Sequence, residues 1–202
     1  MTTLSILLLT AALAGQPASA CPESPTLRVE LSTHSEDVSV SSDSTLMQVN
    51  ELSALSPQRS RHKPFGFSVS SFHYTVRSGS GTGCADQISV GLVLDGRRIE
   101  VAREVMANKC LSPVVVAHYR RHADADYEAF SRLTARVGNT LQSPVFRNAM
   151  KSVVDPVKAE KIVAYAVDRE LATYDEERQS IQKNVDTSDE VTQLENACGV
   201  HT

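Results

Sequence analysis

The spacing of apolar residues changes once along this chain, and that change decides the fold class. Before Cys110 the main runs repeat at every second position, which is typical of half-buried strands. After Cys110 they repeat every three or four positions, which is typical of helices. The main strand patterns therefore precede the main helix patterns, and this order predicts an α+β fold rather than alternating α/β units.

The clearest strand pattern covers residues 87–103. Asp95-Gly96 stands between two alternating runs, and such a pair is typical of a two-residue hairpin turn because both central positions need a positive φ. We therefore predict an antiparallel β-hairpin at about 87–103. The alternating apolar residues are Ile88, Val90, Leu92, Leu94, Ile99 and Val101.

Shorter patterns predict further elements ahead of that segment. Leu27–Leu31 and Val38–Val40 predict two strands, and Met47–Leu55 predicts a helical turn. Phe65–Val76 predicts a strand whose apolar side changes halfway along. A one-residue bulge would return both halves to one face of the sheet.

Three start signals predict three helices after Cys110. Each signal is a capping side chain followed by proline, which suits the first helical position because its missing N–H would have no partner there. The signals are Ser112-Pro113, Ser143-Pro144 and Asp155-Pro156. The sequence thus predicts an antiparallel sheet with a hairpin, followed by three helices.

Composition divides the 202 residues into four parts. Residues 1–20 have no ionisable side chain and end in Ala18-Ser19-Ala20, which predicts a signal peptide and a secreted or periplasmic protein. Residues 21–63 hold a strand and a Ser-rich segment. Residues 64–185 form the α+β domain, and 186–202 form a polar tail.

Charge and hydropathy exclude two classes of partner. The formal net charge is −4, which argues against nucleic acid, since its binding needs a basic surface. The apolar run at 4–15 is too short to cross a bilayer, and no later segment is longer, so we predict no transmembrane span.

Four cysteines in an exported chain predict disulfides, since such bonds persist in oxidising compartments. Our preferred pairing is Cys84–Cys110 with Cys21–Cys198, because Cys84 and Cys110 flank one compact block. Cleavage after residue 20 would make Cys21 the first mature residue and leaves a lipid anchor open. We disfavour that anchor because Ala18 stands where a lipid-attachment box usually has leucine.

His118 and His122 are the residues with the clearest chemistry. They lie four positions apart in a predicted helix, so both imidazoles leave the same side and could bind one zinc ion. This is the histidine spacing of the H-E-x-x-H helix of zinc peptidases, where the glutamate acts as general base. Tyr119 takes the place of that glutamate, and a phenol with an ordinary pKa near 10 is a poor base at neutral pH.

The segment Ile88–His122 resembles exported bacterial proteins of the zincin type, the HExxH metallopeptidase-like proteins. The resemblance lies in Ile99-Glu100-Val101-Ala102-Arg103-Glu104, in Cys110, and in a histidine motif that begins eight residues after that cysteine. It covers about a sixth of the chain. It implies a zincin-like scaffold with an antiparallel edge strand beside the metal helix, where an extended peptide could lie.

Zinc sites of this class take their third ligand from a later helix or loop. Glu170 and Asp175 in the third predicted helix are the best-placed acids, and we do not rank one above the other. Asp126 is excluded with this pair because it lies about 12 Å from His118 along a regular helix. Weaker candidates are His73 and Glu128.

Three functions remain open from the sequence. The first is a catalytically degenerate zincin-like protein that binds a peptide or protein partner, with zinc at His118 and His122. The second is an active zinc-dependent peptidase whose general base is displaced to another carboxylate. The candidates for that base are Glu104, Glu128 and Glu170. The third is a structural or interaction protein of the envelope without a metal site.

Overall fold

The computed structural model describes residues 28–54, 65–79, 87–153 and 155–187, together with 193, 196 and 198. A mixed sheet packs against a layer of helices, which confirms the α+β class. In chain order the described elements are β1 (Arg28–Ser35), β2 (Ser39–Ser41), α1 (Leu46–Ala54), β3 (Gly66–Gly79), β4 (Gln87–Val101), α2 (Arg103–Met106), α3 (Leu111–Gln142), α4 (Pro144–Met150), α5 (Pro156–Leu171) and α6 (Tyr174–Lys183).

The sheet is built around β4, its longest strand. On one side β3 runs antiparallel to β4 over nearly its whole length. On the other side β1 pairs parallel with the first half of β4, and β2 pairs parallel with its second half. The expectation of an antiparallel sheet therefore holds for β3 alone.

The predicted hairpin at 87–103 is wrong, because Asp95-Gly96 lies inside the continuous strand β4. Gly96 does adopt a positive φ of 58°, but there it forms a bulge rather than a turn. In β4, the side chains that face the apolar core have even residue numbers before the bulge and odd residue numbers after it. The register of β3 shifts at the same level, between Val69 and Ser71, as the bulge predicted in Phe65–Val76 requires.

Two of the three predicted helix starts are confirmed with their caps. The Ser143 side chain accepts a hydrogen bond from Phe146 N, and Asp155 accepts from Val157 N and Lys158 N. Ser112 does not cap its helix, since α3 already begins at Leu111. Asn108 acts there instead, because its Oδ1 accepts from the N–H groups of Cys110 and Leu111. The helical turn predicted at Met47–Leu55 overlaps α1 (Leu46–Ala54), and Leu55 lies outside the described residues. With α1, α2 and α6, the described residues contain more helices than the three predicted.

Two apolar clusters form the core, one on each half of the sheet. The larger cluster joins the first half of β4 to the second half of α3, and it includes Leu92, Leu133 and Val163. The smaller cluster joins the second half of β4 to the first half of α3, and it includes Ile99 and Val115. The helix α3 therefore packs against both.

Cys110 is bonded to Cys198, with their Cα atoms 5.8 Å apart. The predicted pairs Cys84–Cys110 and Cys21–Cys198 are therefore wrong, because each needs a sulfur that this bond already uses. Cys21, Cys84 and the predicted signal peptide lie outside the described residues. Among the helices that the structure describes, none combines the length and apolarity needed to cross a membrane.

Candidate metal centre

The two histidines predicted to share a side of one helix do so. His118 and His122 lie in the first half of α3, and their rings meet edge to face with centroids 4.8 Å apart. Their Nε2 atoms are 3.2 Å apart. Only 4% of the surface of His118 is exposed, so the pair lies inside the protein rather than on a solvated helix face.

Asp186 completes a group of three, and the sequence interpretation missed it. Its Oδ1 lies 2.9 Å from His122 Nε2 and 3.6 Å from His118 Nε2. One ligand atom from each residue lies within 4.8 Å of the others. Within the described ranges this is the one group of three or more histidine, cysteine or acidic side chains spaced to hold a metal ion.

The direction of α6 brings Asp186 to this position. This helix runs antiparallel to α3, since Glu177 pairs with Arg136 near the far end of α3, whereas Gln182 bonds to His122. The chain leaves α6 after Lys183 and so reaches the histidines at Asp186. In sequence this aspartate lies 64 residues after His122, in the segment interpreted as a polar tail.

The expected third ligands, Glu170 and Asp175, lie away from the two histidines, and Asp186 is the acid that lies beside them instead. Glu170 accepts a hydrogen bond from Thr140, which is about 27 Å from His122 along α3. Asp175 is in the first turn of α6, about 10 Å from the level of Gln182.

The other candidate ligands and bases have partners of their own. His73 lies 3.5 Å from Asp95, on the sheet face away from the helices. Glu128 pairs with Arg132 on α3. Glu104 accepts a hydrogen bond from Leu46 N at the start of α1.

A second layer of polar contacts fixes His122. The Oε1 atom of Gln182 lies against His122 Nδ1, while Gln182 Nε2 donates to the carbonyl of His122 and to Asp126 Oδ1. Since the amide nitrogen faces two acceptors, the amide oxygen must accept from Nδ1, and Nε2 is then the ring nitrogen that faces His118 and Asp186. Neither Gln182 nor its role has a local sequence signal.

The three side chains differ in how the site changes their pKa. Burial and the charge of His122 lower the pKa of His118 to about 4, so this ring is neutral near pH 7. Burial also opposes the charged form of His122, but hydrogen bonds to Asp186 and Gln182 raise its pKa above the ordinary value. Burial opposes the charge on Asp186 too, yet His122 keeps its pKa below the usual range. The site therefore contains a neutral imidazole and a carboxylate.

Tyr119, at the position of the general base, acts as a packing residue. It is 8% exposed and belongs to the smaller core cluster, and its hydroxyl accepts a hydrogen bond from Gly66 N at 3.3 Å. A Cβ atom at Gly66 would lie 2.9 Å from the Tyr119 ring, so glycine permits this contact between β3 and α3. Burial raises the pKa of the phenol, which makes it a still poorer base.

We expect Tyr119→Phe to lower the free energy of unfolding by about 1–3 kcal/mol, because Gly66 N–H is left buried without its acceptor. Urea unfolding followed by circular dichroism measures the loss. Tyr165→Phe, at a residue 72% exposed, is the matched control and should change stability by less than about 0.5 kcal/mol. Equal stability of the two variants would contradict the structural role of the Tyr119 hydroxyl.

Comparison with known proteins adds no relative to these observations. No family model matches the chain, nor does any curated protein or any solved structure.

Proposed function

We propose that this chain is an exported, catalytically inactive zincin-like protein that binds zinc and holds an extended peptide or protein segment. His118, His122 and Asp186 would be the three zinc ligands, and the partner would lie along β3. The proposal rests on the geometry of the three ligand atoms.

Their separations match what a zinc ion requires. Tetrahedral zinc at about 2.0–2.1 Å from each ligand places neighbouring ligand atoms about 3.3 Å apart. The separations here are 2.9, 3.2 and 3.6 Å. Two imidazole nitrogens and a carboxylate oxygen suit zinc chemically, and three protein ligands leave a fourth position for water or a partner group.

The surroundings of the site favour binding over hydrolysis. A general base must reach a metal-bound water directly or through one other water. Tyr119 is buried and protonated, whereas Glu104, Glu128 and Glu170 are bonded elsewhere. Asp126 lies near His122 through Gln182, but Ser70, Arg178 and Gln182 donate to it.

The free side of β3 supports a peptide partner. Among the described strands β3 pairs only with β4, so it is an edge strand. It lies beside the metal helix, since Gly66 contacts Tyr119 and Ser70 contacts Asp126. An extended segment can add to such an edge through main-chain hydrogen bonds.

Purified protein dialysed against metal-free buffer and reloaded should bind one zinc ion per chain. We expect His118→Ala, His122→Ala and Asp186→Asn each to weaken zinc binding by at least about 100-fold, more than is usual for residues that only support a ligand. Metal analysis gives the stoichiometry, and competition with a chromophoric chelator gives the affinity. At a zinc concentration of about 100 times the Kd, unfolding should cost about 2.7 kcal/mol more than in chelator.

His73→Ala is the matched control, because this histidine is half exposed and lies on the far side of the sheet. It should keep zinc affinity unchanged. If the wild-type protein binds no zinc, the group is an ion pair between His122 and Asp186, and the metal-free interaction protein replaces this proposal. Zinc-dependent cleavage of an unstructured test protein that is lost in His118→Ala would instead contradict catalytic inactivity.

A further inference from the structure

The free edge of β3 is bordered by three carboxylates from two helices, α3 and α5. Asp126 of α3 accepts from Ser70, Asp168 of α5 accepts from Tyr74, and Glu160 of α5 accepts from the N–H and hydroxyl of Ser78. These contacts follow one another along the strand. Charge is therefore concentrated along the same edge at which the proposed partner would lie.

Most of this charge is not neutralised. Arg178 pairs with Asp126 through both Nε and Nη2, which leaves that pair without net charge. Neither Asp168 nor Glu160 forms an ion pair with a basic side chain among the described residues. Two of the three bordering carboxylates thus have no counter-charge beside them in that part of the chain.

A cavity of about 340 Å³ opens between the bulge of β3 and the first turn of α6. It is lined by Ser70, Phe72, Tyr174, Asp175 and Arg178. Tyr174 is 4% exposed, and its hydroxyl has no hydrogen-bond partner among the described residues. Asp175 adds a third carboxylate, which forms no ion pair within 4 Å among the described residues, although its charge helps to stabilise the nearby guanidinium of Arg178.

Main-chain groups along the same edge are open. Ser78 N points away from β4, because it donates to Glu160. Main-chain directions alternate along a strand, so the N–H and C=O groups of Val76, Tyr74 and Phe72 point the same way. No described helix or strand pairs with them on that side. A second strand could therefore bond there in register.

We propose that the partner of β3 is an extended basic segment, which adds as a strand between Phe72 and Val76 and directs lysine or arginine side chains at Asp175, Asp168 and Glu160. A cation in the cavity would meet the carboxylate of Asp175 beside the packed rings of Phe72 and Tyr174, and aromatic faces attract cations. Its N–H groups would also give the Tyr174 hydroxyl a donor. This inference rests on the proposed function and names the chemistry of its partner.

Peptides that differ only in charge test the preference. We would use labelled, end-blocked peptides of about six residues, the usual length of a strand, in which threonine alternates with lysine, glutamine or glutamate. Fluorescence anisotropy should show the lysine peptide binding about tenfold more tightly than the glutamine peptide, as expected from a few surface ion pairs. The glutamate peptide should bind more weakly still.

Two matched changes locate the contact. Asp175→Asn should reduce the preference for lysine several-fold, whereas Glu176→Gln should not, because Glu176 is also exposed but does not line the cavity. A lysine peptide with methylated main-chain nitrogens should lose binding if the segment pairs as a strand.

The outcomes separate this inference from the zinc site. Equal affinity for the lysine and glutamine peptides would overturn the basic preference, and unchanged binding of the methylated peptide would overturn strand addition. If none of the peptides binds, the peptide part of the proposed function falls with this inference. The zinc measurement does not involve peptides, so it stands or fails by itself.

Discussion

Replacing Cys110 and Cys198 together with serine should lower the free energy of unfolding by about 4–5 kcal/mol. The disulfide joins residues 88 positions apart, and a cross-link of that length removes much of the conformational entropy of the unfolded chain. Such a loss is a large fraction of the total stability of an ordinary domain. Urea unfolding of the oxidised wild-type protein and of the double variant, followed by circular dichroism, gives the difference.

The single variants provide the control. Cys110→Ser and Cys198→Ser should each cost as much as the double change, because either one removes the same bond. The cysteines at 21 and 84 stay in all three proteins, and blocking free thiols before unfolding prevents the cysteine left in each single variant from exchanging with them. Costs that add in the double variant would contradict a direct bond between Cys110 and Cys198.

Asp126→Ala should cost about 3–5 kcal/mol of stability. This carboxylate is 1% exposed and accepts hydrogen bonds from Ser70, Arg178 and Gln182. Removing it leaves a guanidinium in a partly buried place without its counter-charge, which is among the more destabilising changes in a folded protein. The midpoint of thermal or urea unfolding measures the effect.

A double-mutant cycle distinguishes this ion pair from a simple loss of packing. Asp126→Ala combined with Arg178→Ala should cost clearly less than the sum of the two single changes, because the second change removes the unpaired charge. Asp124→Ala is the matched control on the same helix, and since this residue is exposed it should change stability by less than about 0.5 kcal/mol. Additive costs for Asp126 and Arg178 would contradict the pairing.

The alternation of apolar residues predicts where β3 and β4 lie, yet it cannot distinguish the two roles of Asp95-Gly96. A glycine with positive φ serves equally well in a hairpin turn and in a bulge. The choice depends on whether the flanking runs pair with each other or with other strands. Here both runs pair with β3, and each also has a parallel partner, β1 or β2.

Half of the candidate metal site is local in sequence and half is not. The spacing of His118 and His122 on one helix places their rings together whatever the rest of the fold does. Asp186 and Gln182 reach them only because α6 runs antiparallel along α3. No sequence pattern near Asp186 predicts that packing. The prediction of disulfide connectivity is wrong for the same reason. Four cysteines allow three pairings, and their spacing in sequence does not choose among them.

The length of α3 has a mechanical consequence for the whole protein. At 32 residues this helix is about 48 Å long, and it packs against both apolar clusters. Three polar residues lie between the two clusters: Arg97, His122 and Asp126. Arg97 donates a hydrogen bond to the carbonyl of Ala123 on α3. For one cluster to unfold alone, α3 would have to break between the two clusters. An ion or ligand bound to the polar residues there would therefore stabilise both clusters at once.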